Sequence, residues 1–126
     1  MADWQLEHTD KYLRDYAYFK KKRPDELVAV LDNLDTYFKA LSKLGNPLQV
    51  TAGFIHSEPD GVIAVDQKGG GRRLRLRQTR LYVYPDTKAA IVHVLAIGDK
   101  TAQKSDIDAC RGFVKKLKEG RDAKTV

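Results

Sequence analysis

Residues 72–99 read RRLRLRQTRLYVYPDTKAAIVHVLAIGD, and the strand pair encoded here organises the rest of the chain. Residues 72–80 carry five arginines. The residues that follow, 81–97, form two apolar segments joined at Pro85-Asp86. A turn of this kind between apolar segments predicts two neighbouring antiparallel strands. The returning segment, residues 90–97, is apolar on both faces, so we expect it at the centre of a sheet.

The apolar positions of the outgoing strand change sides partway along it. Arginines occupy alternate positions up to Arg77, and unbroken alternation from there would place Leu81 and Val83 on the arginine side. An interruption near Gln78-Thr79, either a bulge or a loop that ends before Arg80, returns both apolar residues to the core. The open face then carries Arg73, Arg75, Arg77, Arg80, Tyr82 and Tyr84.

Helical patterns lie on both sides of this strand pair. Alternation over residues 4–8 predicts a first strand, and Pro24 separates a helix that ends in basic residues from a second helix. The apolar positions of the second helix recur at helical spacing, and they are Leu27, Leu31, Leu34, Phe38 and Leu41. Ser105 opens a last helix with an apolar stripe, and residues 62–65 suit another strand.

These elements predict an α+β fold in one domain, residues 1–126, with a flexible tail over approximately residues 120–126. The order is an N-terminal strand, a helical hairpin, antiparallel strands and a C-terminal helix. The apolar faces of the helical hairpin need a sheet to cover them. We therefore expect one helix-covered sheet face and one basic concave face.

Composition narrows the function classes. The formal charge of +6 and the isoelectric point near 9.4 favour a polyanionic partner, although a merely soluble basic protein is the alternative. A lone cysteine, Cys110, indicates a reducing compartment, and the longest apolar run is too short to span a bilayer. We expect a cytoplasmic protein with no metal, no cofactor, no membrane contact and no small-molecule ligand.

The segment between the second helix and the next strand, residues 45–60, is read as a loop with a short extended piece over residues 48–54. Long loops inside small domains are often functional, which makes His56 a site candidate. The simpler interpretation is a histidine that faces solvent. Gly69-Gly70-Gly71 could hold a phosphate with backbone amides, but a flexible strand connection is the stronger interpretation.

The segments RLYVYPD (residues 80–86) and IVHVLAIGDK (residues 91–100), with the order of elements, resemble the RelE/ParE superfamily of toxins from toxin-antitoxin systems. The resemblance is best over residues 72–113. It implies a sheet with two helices on one face and a basic face for a partner. RelE-like members are ribosome-dependent endoribonucleases, or mRNA interferases, and ParE-like members inhibit DNA gyrase. A cognate antitoxin neutralises both.

The resemblance also implies site residues. Cleavage by a ribose 2′-hydroxyl needs a proton acceptor and cations that hold the charge on phosphorus. The matched candidates for phosphate stabilisation are Arg77, Arg80 and Lys100. The candidates for RNA binding are Lys68, Arg72, Arg73, Arg75 and Tyr82.

The proton-transfer group is where the chain departs from the family. RelE-like nucleases commonly carry a tyrosine or histidine near the C-terminus, and neither occurs after His93. Asp106, Tyr82 and His93 are the possible substitutes, although an aspartate at a helix start usually serves the helix dipole and a histidine in an apolar strand is usually a satisfied core residue.

The sequence is therefore compatible with three functions. The leading one is a toxin that cleaves messenger RNA on the ribosome and is bound by a cognate antitoxin. A ParE-like gyrase inhibitor is favoured by the missing C-terminal tyrosine or histidine. A noncatalytic nucleic-acid-binding module, using basic and aromatic residues on a sheet, is the third.

Overall fold

The computed structural model describes residues 3–68 and 78–125, with side chains as far as Arg121. Within these ranges the chain forms a mixed α+β fold, so the predicted fold class is confirmed. The strands are β1 (Gln5–His8), β2 (Ile55–Ser57), β3 (Ile63–Asp66), β4 (Thr79–Asp86) and β5 (Ile91–Asp99). The helices are α1 (Asp10–Lys22), α2 (Pro24–Leu44) and α3 (Gln103–Thr125).

The five strands form one sheet in the order β1-β5-β4-β3-β2. β1 runs parallel to β5, and all the other pairs are antiparallel. The apolar segment at residues 90–97 therefore does form an inner strand, as its sequence predicted. The chain crosses from one edge of the sheet to the other through the helical hairpin, so the helices must lie against the sheet.

Local signals set the bounds of the helical hairpin. The Thr9 side chain caps α1 by accepting a hydrogen bond from the backbone N–H of Tyr12. Pro24 occupies the first turn of α2, where its missing N–H does no harm. Gly45 ends α2 in the left-handed conformation, at φ 79°, which a residue with a Cβ adopts at a cost.

One face of the sheet, called here the first face, packs against α1 and α2. Its core is almost entirely apolar and includes Leu41, Leu81 and Val83, none of which is exposed to solvent. The remaining buried members include Tyr12, Phe19, Leu27, Val30, Leu34, Tyr37, Val65, Val92, Val94 and Ile97. The predicted return of Leu81 and Val83 to the core is confirmed.

The opposite face, called here the second face, carries α3. Tyr82 and Ala96 of the two inner strands pack against Cys110 and Val114 of this helix, and all four are buried. The sheet surface left for a partner is thus smaller than the open concave face expected from the sequence. Because the apolar stripe of α3 needs cover, it takes the second face at β4 and β5.

β4 alternates regularly between the two faces from Thr79 to Asp86. Gln78 lies outside the strand, which fits a loop that ends before Arg80. The register shift that the structure does show is opposite Tyr82 and Val83, where β5 contributes one extra residue. The arginine positions up to residue 77 lie outside the described residues.

Two segments differ from the sequence-based expectation. Residues 55–57 form the edge strand β2, although the loop over residues 45–60 was expected to be extended only at residues 48–54. The last helix begins at Gln103, before the expected Ser105, and continues to Thr125. Among the described residues, no helix has the length and apolar character needed to cross a membrane.

Candidate functional site

The described part of the chain contains four of the predicted site residues: Lys68, Arg80, Tyr82 and Lys100. Arg72, Arg73, Arg75 and Arg77 lie outside it. Arg80 and Tyr82 lie on the second face of β4, while Lys68 follows β3 and Lys100 follows β5, both at the end of the sheet where β4 begins. This region, built around Arg80 and bordered by β2, β3 and the first turn of α3, is called here the Arg80 region.

Arg80 lies in the middle of this region. Its neighbours across the strands are Asp66 on β3 and Gly98 on β5. The guanidinium reaches Glu58, with Nη1 3.4 Å from Oε1, and the side chain is 18% exposed. Its Nε is buried and has no hydrogen-bond partner in the described structure. Arg80 is therefore held on the second face with part of its bonding capacity unused.

Tyr82 follows Arg80 on the same face, but it does not lie on an open surface. The residue is fully buried beneath α3, and its hydroxyl makes no hydrogen bond within the described residues. Burial raises the pKa of Tyr82 well above its ordinary value, and the nearby carboxylate of Asp106 adds to the rise. The sequence placed Tyr82 on an open sheet surface as an RNA contact, whereas in the structure α3 covers its ring, and an RNA-binding role for Tyr82 stays a prediction.

Asp106 links α3 to α1 and packs over Gly98 of the sheet. Lys11 Nζ lies 3.1 Å from one carboxylate oxygen, and the other oxygen is buried without a partner in the described structure. That second oxygen occupies the space above Gly98, where a Cβ would come within 1.8 Å of it. Burial raises the pKa of Asp106 despite the opposing effect of Lys11. Asp106 is also in the first turn of α3, as expected of a dipole partner.

The two predicted lysines are exposed. Lys100 begins a short turn after β5, directly beyond the paired residues Thr79 and Asp99, so its backbone lies near the start of β4. The Asp99 carboxylate holds this turn by accepting hydrogen bonds from the Thr101 hydroxyl and backbone N–H. The bond from the Thr101 hydroxyl is the main cause of a lowered pKa of Asp99, and Arg23 contributes. Lys100 is thus attached to an ordered turn.

His56 forms a pair with Asp66 in this region. The sequence made His56 a site candidate but did not predict this partner. Its Nε2 lies 2.6 Å from Oδ2 of Asp66, which joins β2 to β3. The other Asp66 oxygen accepts a hydrogen bond from the backbone N–H of Lys68 at 2.8 Å. Asn33 of α2 donates to the Asp66 carbonyl. In sequence, His56 and Asp66 belonged to a loop and a strand end with nothing to link them.

His93 lies elsewhere. Its buried ring contacts those of Tyr84 and Phe113, near the far end of β4 from Arg80. Its Nε2 is 3.8 Å from a carboxylate oxygen of Asp86, too far for a hydrogen bond, and lacks another partner in the described structure. His93 therefore lies in the core, as its apolar strand predicted, but one of its ring nitrogens lacks a hydrogen bond within the described residues. Its distance along the strand separates it from the Arg80 region.

The Arg80 region combines a guanidinium, an imidazole held by a carboxylate, and an exposed ammonium. This set suits recognition of an anion, since guanidinium groups bind phosphate oxygens in pairs. Across residues 3–68 and 78–121, the structure contains no cluster of three or more histidine, cysteine or acidic side chains that could hold a metal.

No protein-family model matches the chain, and no curated protein matches its sequence. Among solved structures, the chain is similar to a double arginine-to-alanine variant of the E. coli toxin RelE in the free state, with 13% identity and a TM-score of 0.49 over 87% of this chain and 97% of that one. It is also similar to a chain of the toxin-antitoxin complex RelBE2 from Mycobacterium tuberculosis, with 24% identity and a TM-score of 0.43 over 79% of this chain and 94% of that one.

Proposed function

We propose that this protein is the toxin of a toxin-antitoxin pair and acts as a ribosome-dependent endoribonuclease on messenger RNA. The observation that carries the proposal is the state of Arg80 in the structure. This arginine is held on the second face with an incompletely satisfied guanidinium, at the end of the sheet where Lys68 follows β3 and Lys100 follows β5.

The bonding of Arg80 is better suited to an incoming anion than to Glu58. Charge-assisted bonds between nitrogen and carboxylate are typically about 2.7–2.9 Å long, whereas the contact with Glu58 measures 3.4 Å. A buried donor without a partner, such as Nε, costs about 1–3 kcal/mol. A phosphate that replaces Glu58 at Nη1 would make a shorter charge-assisted bond than the present contact. Arg80 is therefore our primary candidate for stabilising the charge that develops on phosphorus.

Other cations would share this task. Lys100 and Arg77 are proposed as further ligands of the scissile phosphate, because Lys100 follows β5 beside the start of β4 and Arg77 precedes Arg80 in sequence. Lys68, Arg72, Arg73 and Arg75 are proposed to bind the RNA backbone. The formal charge of +6 would attract RNA before contact.

A cognate antitoxin is the proposed protein partner, and its gene is expected beside that of the toxin. Co-expression of the two proteins should relieve growth arrest and yield a stable complex. A neighbouring gene whose product neither binds nor protects would remove this part of the proposal.

The test is to induce the protein in a bacterial host and to map new transcript ends. The wild type should arrest growth and produce cuts within translated messages. Arg80→Ala should lower cleavage by about 100-fold to 1,000-fold, the usual effect of removing one donor that stabilises an oxyanion. Arg111→Ala is the matched control, because Arg111 is an exposed arginine on α3 whose partner is Asp60.

The other outcomes identify the alternatives. Growth arrest without new cuts in messenger RNA contradicts the nuclease proposal, and inhibition of gyrase supercoiling by the pure protein would then favour a ParE-like inhibitor. Salt-sensitive binding that leaves RNA intact would favour a noncatalytic module. Loss of the folded state in Arg80→Ala would make Arg80 a structural residue.

A further inference from the structure

The His56–Asp66 pair has the geometry of a base held by a carboxylate. His56 projects from the edge strand β2 with its side chain 32% exposed, and Asp66 is almost fully buried, at 5%. The 2.6 Å contact between Nε2 and Oδ2 is short for such a bond. An exposed ring is thus oriented by a buried anion, as in other sites where a carboxylate positions a catalytic histidine.

The contacts of Asp66 decide which ring nitrogen is free. An ionised carboxylate only accepts hydrogen bonds, so Nε2 of His56 must donate to it and carry the proton. In the neutral ring this leaves the lone pair on Nδ1. Within the described residues, Nδ1 makes no hydrogen bond. A partner that reaches β2 from solvent would therefore meet a proton acceptor.

Asp66 itself is fixed from two further directions. Its Oδ1 accepts from the backbone N–H of Lys68, and its carbonyl oxygen accepts from the side chain of Asn33 on α2. A buried carboxylate is tolerated only when its charge is compensated, and the Lys68 N–H and the imidazole supply bonds to it. The Asp66 carboxylate cannot turn away from His56 without losing the bond from Lys68, and the bond from Asn33 fixes the backbone that carries it.

The strand register places this pair beside Arg80. Asp66 and Arg80 are direct partners on β3 and β4, so their Cβ atoms are about 4.5–5.5 Å apart. His56 is paired with Ala64, two positions from Asp66 on the same face. His56 and Arg80 are thus diagonal neighbours across β3, and both lie next to Asp66, so one phosphodiester could approach both groups.

We propose that His56 is the catalytic base that accepts the proton of the attacking 2′-hydroxyl, and that Asp66 positions it. This inference rests on the proposed RNA-cleaving function. It supplies the proton-transfer group that the chain lacks near its C-terminus. In this assignment Arg80 binds the nonbridging oxygens of the same phosphate.

The reaction balances without a metal or a second reactant. The 2′-hydroxyl gives its proton to Nδ1 of His56 as the O2′–P bond forms. The P–O5′ bond breaks, and the leaving O5′ takes up a proton from solvent. The imidazolium then returns its proton to solvent. The products are an RNA with a 2′,3′-cyclic phosphate end and an RNA with a 5′-hydroxyl end.

Charged groups surround His56 on two sides. Asp66 contacts it from β3, Glu58 follows β2 two residues after His56, and Arg80 on β4 reaches Glu58. Asp66→Asn removes the charge that orients the imidazole. The single-turnover rate at saturating RNA should therefore fall in the folded variant, while the affinity for RNA stays unchanged.

The experiment measures cleavage of ribosome-bound messenger RNA by the purified full-length protein. His56→Gln should lower the single-turnover rate by at least about 100-fold, which is the usual contribution of a general base. His8→Gln is the matched control, because His8 is an exposed histidine on the other edge strand, β1, at the opposite side of the sheet. It should cleave at the wild-type rate.

A second variant separates catalysis from the simple joining of two strands. His56→Gly leaves space for free imidazole, and added imidazole should restore part of the cleavage rate of this variant. Imidazole should restore no cleavage in Arg80→Ala, where the imidazole ring of His56 is still present. If the pair only joins β2 to β3, His56→Gln will lower the melting temperature and retain the rate of the folded protein, and imidazole will have no effect. That result overturns the inference.

The failures of the two proposals are distinguishable. A wild-type protein that cleaves nothing overturns both the nuclease function and the role of His56. A wild-type protein that cleaves, with His56→Gln equally active, overturns the role of His56 alone.

Discussion

The two faces of the sheet are built from the same strands and differ in what they bury. The first face packs apolar side chains of β3, β4 and β5 against α1 and α2. The second face buries polar atoms beneath α3. Six buried side-chain atoms have no hydrogen-bond partner in the described structure, and four of them, on Arg80, Tyr82, His93 and Asp106, lie on the second face.

This difference separates a face that stabilises the fold from the face that contains the proposed site. Each unsatisfied buried group costs about 1–3 kcal/mol, which is a large fraction of the stability of a small domain. Each such group in a native protein needs an explanation, and the proposed role in RNA cleavage would explain that of Arg80. The first face also has two buried atoms without a hydrogen-bond partner in the described structure, on Arg23 and Tyr37. The other two guanidinium nitrogens of Arg23 are hydrogen-bonded to Asp99 and Thr79.

The largest expected effect comes from shortening an apolar side chain on the first face. Leu41→Ala should lower the free energy of unfolding by about 2–5 kcal/mol, since Leu41 is completely buried and its loss leaves a cavity. Denaturant unfolding followed by circular dichroism measures the change.

The matched variant on the second face is Tyr82→Phe, which removes a buried hydroxyl that has no partner. It should leave the free energy of unfolding within about 1 kcal/mol of the wild type or raise it. If Tyr82→Phe is as damaging as Leu41→Ala, the hydroxyl is bonded in solution and the contrast between the faces is lost.

The next largest expected effect on stability is that of Gly98→Ala, which tests how the start of α3 packs on β5. The new Cβ would come within 1.8 Å of the Asp106 carboxylate, so the first turn of α3 must shift. We expect a loss of about 1–3 kcal/mol, typical of inserting an atom into a packed site. Amide hydrogen exchange should show faster exchange at the start of α3.

Gly112→Ala is the control on the same helix, where an added Cβ meets no atom within 4 Å. Alanine is the better helix former, and this variant should be more stable by about 0.8–1 kcal/mol. Unchanged stability and exchange in Gly98→Ala would mean that Asp106 does not occupy the space above Gly98.

The smallest effect is a pH dependence that arises from Asp106. Burial raises its pKa in the folded state above the ordinary value of 3.8. A raised pKa means that the contribution of this group to stability is complete below the ordinary value and is lost as pH rises through the folded-state value. Asp106→Asn has no such titration, so the wild type should lose stability relative to the variant as pH rises from acid toward neutral.

Unfolding in denaturant at a series of pH values measures this difference, because the other titrating groups are common to both proteins. Asp108→Asn is the control, since Asp108 is exposed on the same helix. A difference between the wild type and Asp106→Asn that stays constant with pH would contradict a buried, desolvated carboxylate.

The fold was predictable where the sequence has strong periodicity. The spacing of Leu27, Leu34 and Leu41 marks the buried side of α2, and the unbroken apolar segment at residues 90–97 marks an inner strand. β2 was missed because Ile55–Ser57 is too short to show alternation and is defined by its pairing with β3. The place of α3 was missed because an apolar stripe shows that a helix is covered but not which sheet face covers it.

The candidate site was predictable only in part. Arg80 could be singled out by counting faces along the strand, and the structure places it on the face opposite Leu81. The burial of Tyr82 could not be foreseen because it depends on where α3 packs. The pairing of His56 with Asp66 depends on the register of two strands across a turn at residues 59–61, which no local pattern reveals.

The most direct measurement of the central claim, that the second face around Arg80 is an RNA-cleaving site, is a single-turnover cleavage assay. Purified wild-type protein and Arg80→Ala are compared on messenger RNA bound in the ribosome, with the folded state of both verified by circular dichroism. We predict cleavage with 5′-hydroxyl ends by the wild type and a rate about 100-fold to 1,000-fold lower in the folded variant. Equal rates in the two folded proteins, or no cleavage by the wild type, would contradict the account.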